Sequence, residues 1–260
     1  MPLCESSDKL RLHDFNNLSK TLSVTLYELT YRISEAEQRR YKTELNGRYS
    51  AQCLGLMLEK MAQKMGAKVL NLARQDYQPQ GASATLLLSD ALVAHLDKSH
   101  ITIHTYPEQH PQNSLYTFRA DIELSTCGRI SPLTVLNELL DCFAAEVVLL
   151  DYRVRGFTRD VAGQKQFMDH EMVSIQNFLS APRRAEYQLL DRNVAEENSF
   201  HTKMLKTSFV LEGFLSQSEQ ELCSGAELEQ IEQCLRLERE ELFYGRLSDP
   251  PATTCKRYGS

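Results

Sequence analysis

Apolar and polar residues alternate over residues 21–28, with β-branched side chains among them, the period of a half-buried strand. Over residues 52–65 the period changes. Leu54, Leu58, Met61 and Met65 recur at helical spacing, and Gly66 closes the segment. Residues 68–74 and 83–88 read as strands, separated by the Pro79-Gln80-Gly81 turn. Alternation returns at 100–105 and again at 118–125. Between them lies His110-Pro111-Gln112-Asn113-Ser114, so these two strands form a hairpin. Pro132 opens a helix that runs to Phe143, and 146–155 is an apolar strand ending in charge. After Gly156 the pattern turns helical and charged, from about 164 to 244. Residues 248–260 lack periodicity and read as a loose tail. Strands and hairpins with interspersed helices predict an α+β fold: a two-layer α/β sandwich with a mainly antiparallel sheet, helices on one face, and a helical C-terminal third. No linker signal divides the chain, which reads as a single domain over 1–260.

Composition narrows the class. The chain has 260 residues, 42% hydrophobic and 25% charged, which is ordinary for a globular protein. A net charge of −6 argues against non-specific nucleic-acid binding, which needs a basic footprint. The seven cysteines are irregularly spaced and form no CxxC pair, so a structural zinc site is not expected. The N-terminal residues show no apolar signal segment. The longest apolar stretch, 139–150, is short and interrupted by Asp141 and Glu146. These features read as a soluble, reduced, cytoplasmic protein that contacts neither nucleic acid nor membrane.

Candidate chemistry gathers between Gly81 and Cys127. His100 and His104 are four apart, but on a strand that spacing puts them roughly 13 Å apart, too far to share one metal ion. Cys127 ends a strand beside Gly128, and Ser99 precedes one without a Gly-x-Ser-x-Gly elbow. Residue types and spacing alone therefore stop at an α+β domain with a Ser/His/Cys site.

The stretch Lys98-Ser99-His100-Ile101-Thr102-Ile103-His104-Thr105-Tyr106-Pro107-Glu108 resembles the processing-site signature of the bacterial S-adenosylmethionine decarboxylase proenzymes. Asp121-Ile122-Glu123-Leu124-Ser125-Thr126-Cys127-Gly128 follows at that family's separation. Segments at 12–18, 73–83, 151–160 and 200–204 are similar to its longer, enterobacterial-like branch, so the resemblance spans roughly residues 9–244.

The resemblance implies self-cleavage at Lys98–Ser99 into a β chain, 1–98, and an α chain, 99–260. Ser99 would become a covalent pyruvoyl (pyruvate) group that forms a Schiff base with S-adenosyl-L-methionine and serves as electron sink for its decarboxylation, a step in spermidine synthesis. His104 takes the family's place as proton acceptor in processing, and Cys127 as proton donor in catalysis. Ser83 resembles a serine that assists processing in shorter relatives. A tight approach at the strand start would bring His104 back over the ester. A magnesium ion and an oligomer of several αβ pairs are implied by the same analogy. Phe15, Tyr106, Phe118 and Phe157 are available to face the sulfonium and adenine, with Glu108 and Asp121 as carboxylates. The chain departs from the pattern at Asp14, where the family has glycine, and in a shorter loop before the cleavage site. Two other readings keep most of these residues: the same machinery acting on L-arginine or L-ornithine, and a non-catalytic regulatory paralogue.

Overall fold

The computed structural model describes residues 12–90 and 99–247. Among the described residues there are eleven strands and six α-helices. In chain order they are β1 (Leu12–Asn16), β2 (Ser19–Tyr31), α1 (Glu35–Arg48), α2 (Ala51–Lys64), β3 (Ala67–Asp76), β4 (Ala82–Asp90), β5 (Ser99–Gln109), β6 (Leu115–Cys127), α3 (Leu136–Asp141), β7 (Val147–Arg155), β8 (Thr158–Asp160), β9 (Lys165–Gln166), α4 (Ala181–Glu186), β10 (Tyr187–Asp191), β11 (Ser199–Lys206), α5 (Gln217–Gln220) and α6 (Gly225–Tyr244).

Eight strands form one antiparallel sheet in the order β10-β11-β7-β2-β6-β5-β4-β3. The hairpin expected around residues 110–114 is β5–β6. The long β2 lies between β6 and β7 and pairs with both, so a strand from the start of the chain is the spine of the sheet. A second, three-stranded sheet, β1-β8-β9, sits beside the start of β2.

Alternation decides which face each residue takes. Leu22, Val24 and Leu26 of β2, Ile101 and Ile103 of β5, and Ile122 and Leu124 of β6 point to one face and are buried. There they meet Leu54, Leu58 and Met61 of α2 and Leu136, Leu139 and Leu140 of α3. A buried leucine of this kind contributes roughly 1.5–3 kcal/mol. Ser50 caps α2 by accepting from the Cys53 N–H.

The antiparallel α+β class is as expected, and two details differ. First, the segment 164–244 is not all helical. β10 and β11 extend the sheet, because Phe200, Thr202 and Met204 alternate with half-buried residues and fill the core face. Second, helices lie on both faces. Leu29 and Leu115 point away from the main core and meet Ile231 and Leu235 of α6. Glu146 and Arg239, 3.0 Å apart, anchor that helix over β7. The capping box at Ser224 and Glu227 starts α6, and Gly245 at φ +69° ends it. Among the described residues, no helix is long and apolar enough to cross a membrane.

Candidate active site

Ser99 is the first described residue of β5, and its side chain is 2% exposed. Its Oγ accepts a hydrogen bond from the Cys127 N–H at 3.1 Å. The register explains the meeting. His100 pairs with Ser125, so one step back along β5 puts Ser99 at the end of β6, where Cys127 closes that strand. The Cys127 thiol is half-buried, with Sγ 3.5 Å from Ser19 Oγ on the neighbouring β2. Gly128 follows at φ +69°, a conformation that turns the chain away just past the thiol. Lys98 lies outside the described residues.

Ser83 and His104 form a second group. They are direct cross-strand partners on β4 and β5. The Ser83 hydroxyl lies 2.9 Å from that of Tyr77, and His104 pairs with Asp121 on its other side. Asp121 is itself held by Thr25 and Arg119, each 3.0 Å away. These residues share the sheet face opposite the main core, on the β4–β6 half that lies beyond the strands α6 packs against.

The structure does not join the two groups within one chain. β5 is a regular strand from Ser99 onward, so five residues at about 3.3 Å each carry His104 roughly 17 Å from Ser99. The tight return expected at the strand start does not occur, because both edges of β5 are hydrogen-bonded there, to β4 and β6. Ser99 also faces the core, while His104 faces away. His100 is occupied with Glu123, at 3.2 Å.

Of the aromatic candidates, Phe118 is buried and stacked on Tyr49, so it belongs to the core. Tyr106 is 45% exposed with the Arg119 guanidinium over its ring. Phe157, just before β8, packs near Phe167, just after β9, and β8 follows the end of β7 that pairs with Ser19. Among the described residues, no three His, Cys, Asp or Glu side chains group closely enough to hold a metal ion.

Ser19 and Lys20 were missed by motif reading. Lys20 did leave a signal, since it interrupts the apolar register Leu18-x-Lys20-x-Leu22-x-Val24. Its ammonium is buried, bonded to Asp169 Oδ2 at 2.5 Å and to the Gly128 carbonyl at 3.0 Å. Burial pushes the Asp169 carboxyl up, but the His170 hydrogen bond and the Lys20 charge outweigh it and hold the carboxyl below its ordinary range.

The class of protein is thus an antiparallel α+β sheet in which a buried serine is held against a strand-end cysteine at one end of the sheet. The S-adenosylmethionine decarboxylase family model matches residues 46–156. An S-adenosylmethionine decarboxylase proenzyme of Xylella fastidiosa (strain M12) is 49% identical, over 92% of this chain and 96% of that protein. One from Halorhodospira halophila (strain DSM 244 / SL1) is 48% identical, over 92% and 95%. The crystal structure of the adenosylmethionine decarboxylase from Aquifex aeolicus VF5 is a distant likeness, with TM-score 0.35 and 17% identity over 54% of this chain and 91% of that one. The chain belongs to the S-adenosylmethionine decarboxylase family and is a carboxy-lyase.

Proposed function

We propose that this chain is a single-domain precursor that cleaves itself between Lys98 and Ser99. The resulting pair of chains then decarboxylates S-adenosyl-L-methionine for spermidine synthesis in the cytoplasm. The observation that carries the reading is the Ser99–Cys127 contact, which joins the serine and the cysteine of the two motifs across 28 positions.

In processing, the Ser99 hydroxyl attacks the Lys98 carbonyl, and an ester replaces the broken amide bond. Loss of the α-proton of residue 99 expels the Lys98 carboxylate, and water then replaces the nitrogen, which leaves as ammonia. The Cys127 N–H holds Oγ in place for the first step. His104, half-buried beside Ser83, is the base for the second. Its distance from Ser99 in the same chain favours a second copy as its source. A two-fold pair would give each copy the other's His104 and Ser83.

The expelled carboxylate carries Ser99 Oγ away with it, so the contact from the Cys127 N–H serves processing, and what remains of residue 99 would itself be the pyruvoyl. When formed, it supplies an electrophilic carbonyl that takes the substrate amine and accepts the electron pair released with carbon dioxide. Cys127 then delivers a proton to the substrate carbon. A thiol keeps its proton at neutral pH without being acidic enough to quench the electron sink. Ser19 Oγ, 3.5 Å from Sγ, fixes the direction of delivery.

Intact mass under denaturing conditions tests the cleavage. Two chains divided at Lys98–Ser99 are expected, the larger lighter by one ammonia than hydrolysis alone gives. A single chain in folded protein would sink the reading. Carbon dioxide release from S-adenosyl-L-methionine, L-arginine and L-ornithine, compared side by side, tests the substrate.

A further inference from the structure

Lys20 stands where the alternation of β2 calls for an apolar side chain, and it is 1% exposed. Its ammonium reaches Asp169 Oδ2 at 2.5 Å and the Gly128 carbonyl at 3.0 Å. The other Asp169 oxygen lies 2.8 Å from His170 Nδ1. A carboxylate only accepts, so that nitrogen carries the proton. His170 Nε2 lies 3.5 Å from the Tyr152 hydroxyl, which rises from β7 on the same face. The carboxylate is thus fixed from behind, and the ammonium is aimed at one peptide.

That peptide follows the thiol. Gly128 is gripped twice, from β2 and from the residue just before it: its N–H donates to the Leu18 carbonyl at 3.0 Å, and its carbonyl accepts from Lys20. One residue earlier, the Cys127 N–H bonds Ser99 Oγ. Folding alone does not call for this arrangement. Replacing a buried ion pair by apolar side chains of similar volume is often neutral or stabilising, and desolvating two charges is costly. What the pair adds is a fixed direction for the turn.

We propose that Lys20, oriented by Asp169 and His170, is a positioning residue. It holds the Cys127–Gly128 turn so that the thiol delivers its proton to the substrate carbon and Ser99 Oγ stays seated for processing. The inference rests on the roles read above for Ser99 and Cys127. Its consequence is specific. A proton delivered instead to the carbon derived from Ser99 leaves alanine at the start of the α chain. The substrate nitrogen is retained there, and water takes the rest of the decarboxylated substrate away as an aldehyde. Displacements near 1 Å can cost about 10²-fold in a positioned step.

The test uses full-length Lys20→Met and the double variant Lys20→Met/Asp169→Leu. The double variant leaves no unpaired buried charge, and it carries the test if Lys20→Met alone does not fold. Chain cleavage is followed by intact mass. Alanine at the α-chain N-terminus is counted by N-terminal sequencing after a fixed number of carbon dioxide release events. The folded variant is expected to cleave about tenfold more slowly or to yield about tenfold more alanine per turnover, with KM for S-adenosyl-L-methionine nearly unchanged. A folded variant with wild-type cleavage, wild-type alanine yield and wild-type kcat overturns the assignment of Lys20 while leaving Ser99 and Cys127 standing. An uncleaved wild-type chain overturns the reading of Ser99, and the role of Lys20 with it.

Discussion

Co-producing Ser99→Ala and His104→Ala chains asks whether one site draws on two copies. Along β5 the two residues are about 17 Å apart and on opposite faces of the strand, whereas proton transfer needs roughly 3 Å or one bridging water. A histidine side chain cannot span that gap, and β5 cannot bend back without losing its ladders to β4 and β6. Alone, Ser99→Ala has no hydroxyl and stays whole. Alone, His104→Ala lacks the base and cleaves about 10²–10⁴-fold more slowly. In a two-fold pair of one variant with the other, the His104→Ala copy keeps its own Ser99 and takes the partner's His104. With random one-to-one pairing, about half of the His104→Ala chains, roughly a quarter of all chains, regain fast cleavage. Two affinity tags confirm mixed assemblies, and denaturing mass spectrometry counts the cleaved chains. Purified mixed pairs with no gain in cleavage would refute the two-copy site. So would fast cleavage of His104→Ala alone, since His104 would then not be the base.

Gly156 has φ +84°, and a Cβ there would meet the Asn17 carbonyl at 2.2 Å. Gly156→Ala in an uncleaved Ser99→Ala background should cost about 2–4 kcal/mol, from the left-handed backbone and the clash. That is roughly 5–15 °C in a thermal melt, and an unchanged melt would contradict the close approach. Asp169 has a folded-state pKa below its unfolded value, so its contribution is present at neutral pH and is lost as pH falls through the folded value, below the ordinary carboxylate range near 3.9. Asp169→Asn should therefore lose most stability at pH 7, and the loss should shrink progressively as urea titrations are taken below the ordinary carboxylate range; a loss that does not change with pH would remove the charge from the explanation. Because β2 lies between β6 and β7, the two cleaved chains should co-elute in size exclusion and part only in denaturant. Cys127→Ala should still cleave yet lose most carbon dioxide release; full activity would remove the thiol as donor.

The strands at 83–88, 100–105, 118–125 and 146–155 and the helix at 52–65 were legible because each buries one face, so its period is written locally in the order of residue types, whereas 68–74 is a largely exposed edge strand set off by the turn that follows it. The segment after Gly156 misled. β10 and β11 are short, and charged residues such as Asp191 and Lys203 mask their alternation, so only packing beside β7 makes them strands. The sequence by itself determined the chemistry on offer, since Ser99, His104 and Cys127 stand in motifs that residue types and order carry. Tertiary structure alone decided which of them meet. Strand register brought Cys127 to Ser99 across 28 positions, and strand regularity carried His104 away from it. It also gave Lys20 a purpose, because an odd residue in an apolar register names no partner. Asp169 and Gly128 reach it from 149 and 108 positions away, through contacts that no local pattern encodes.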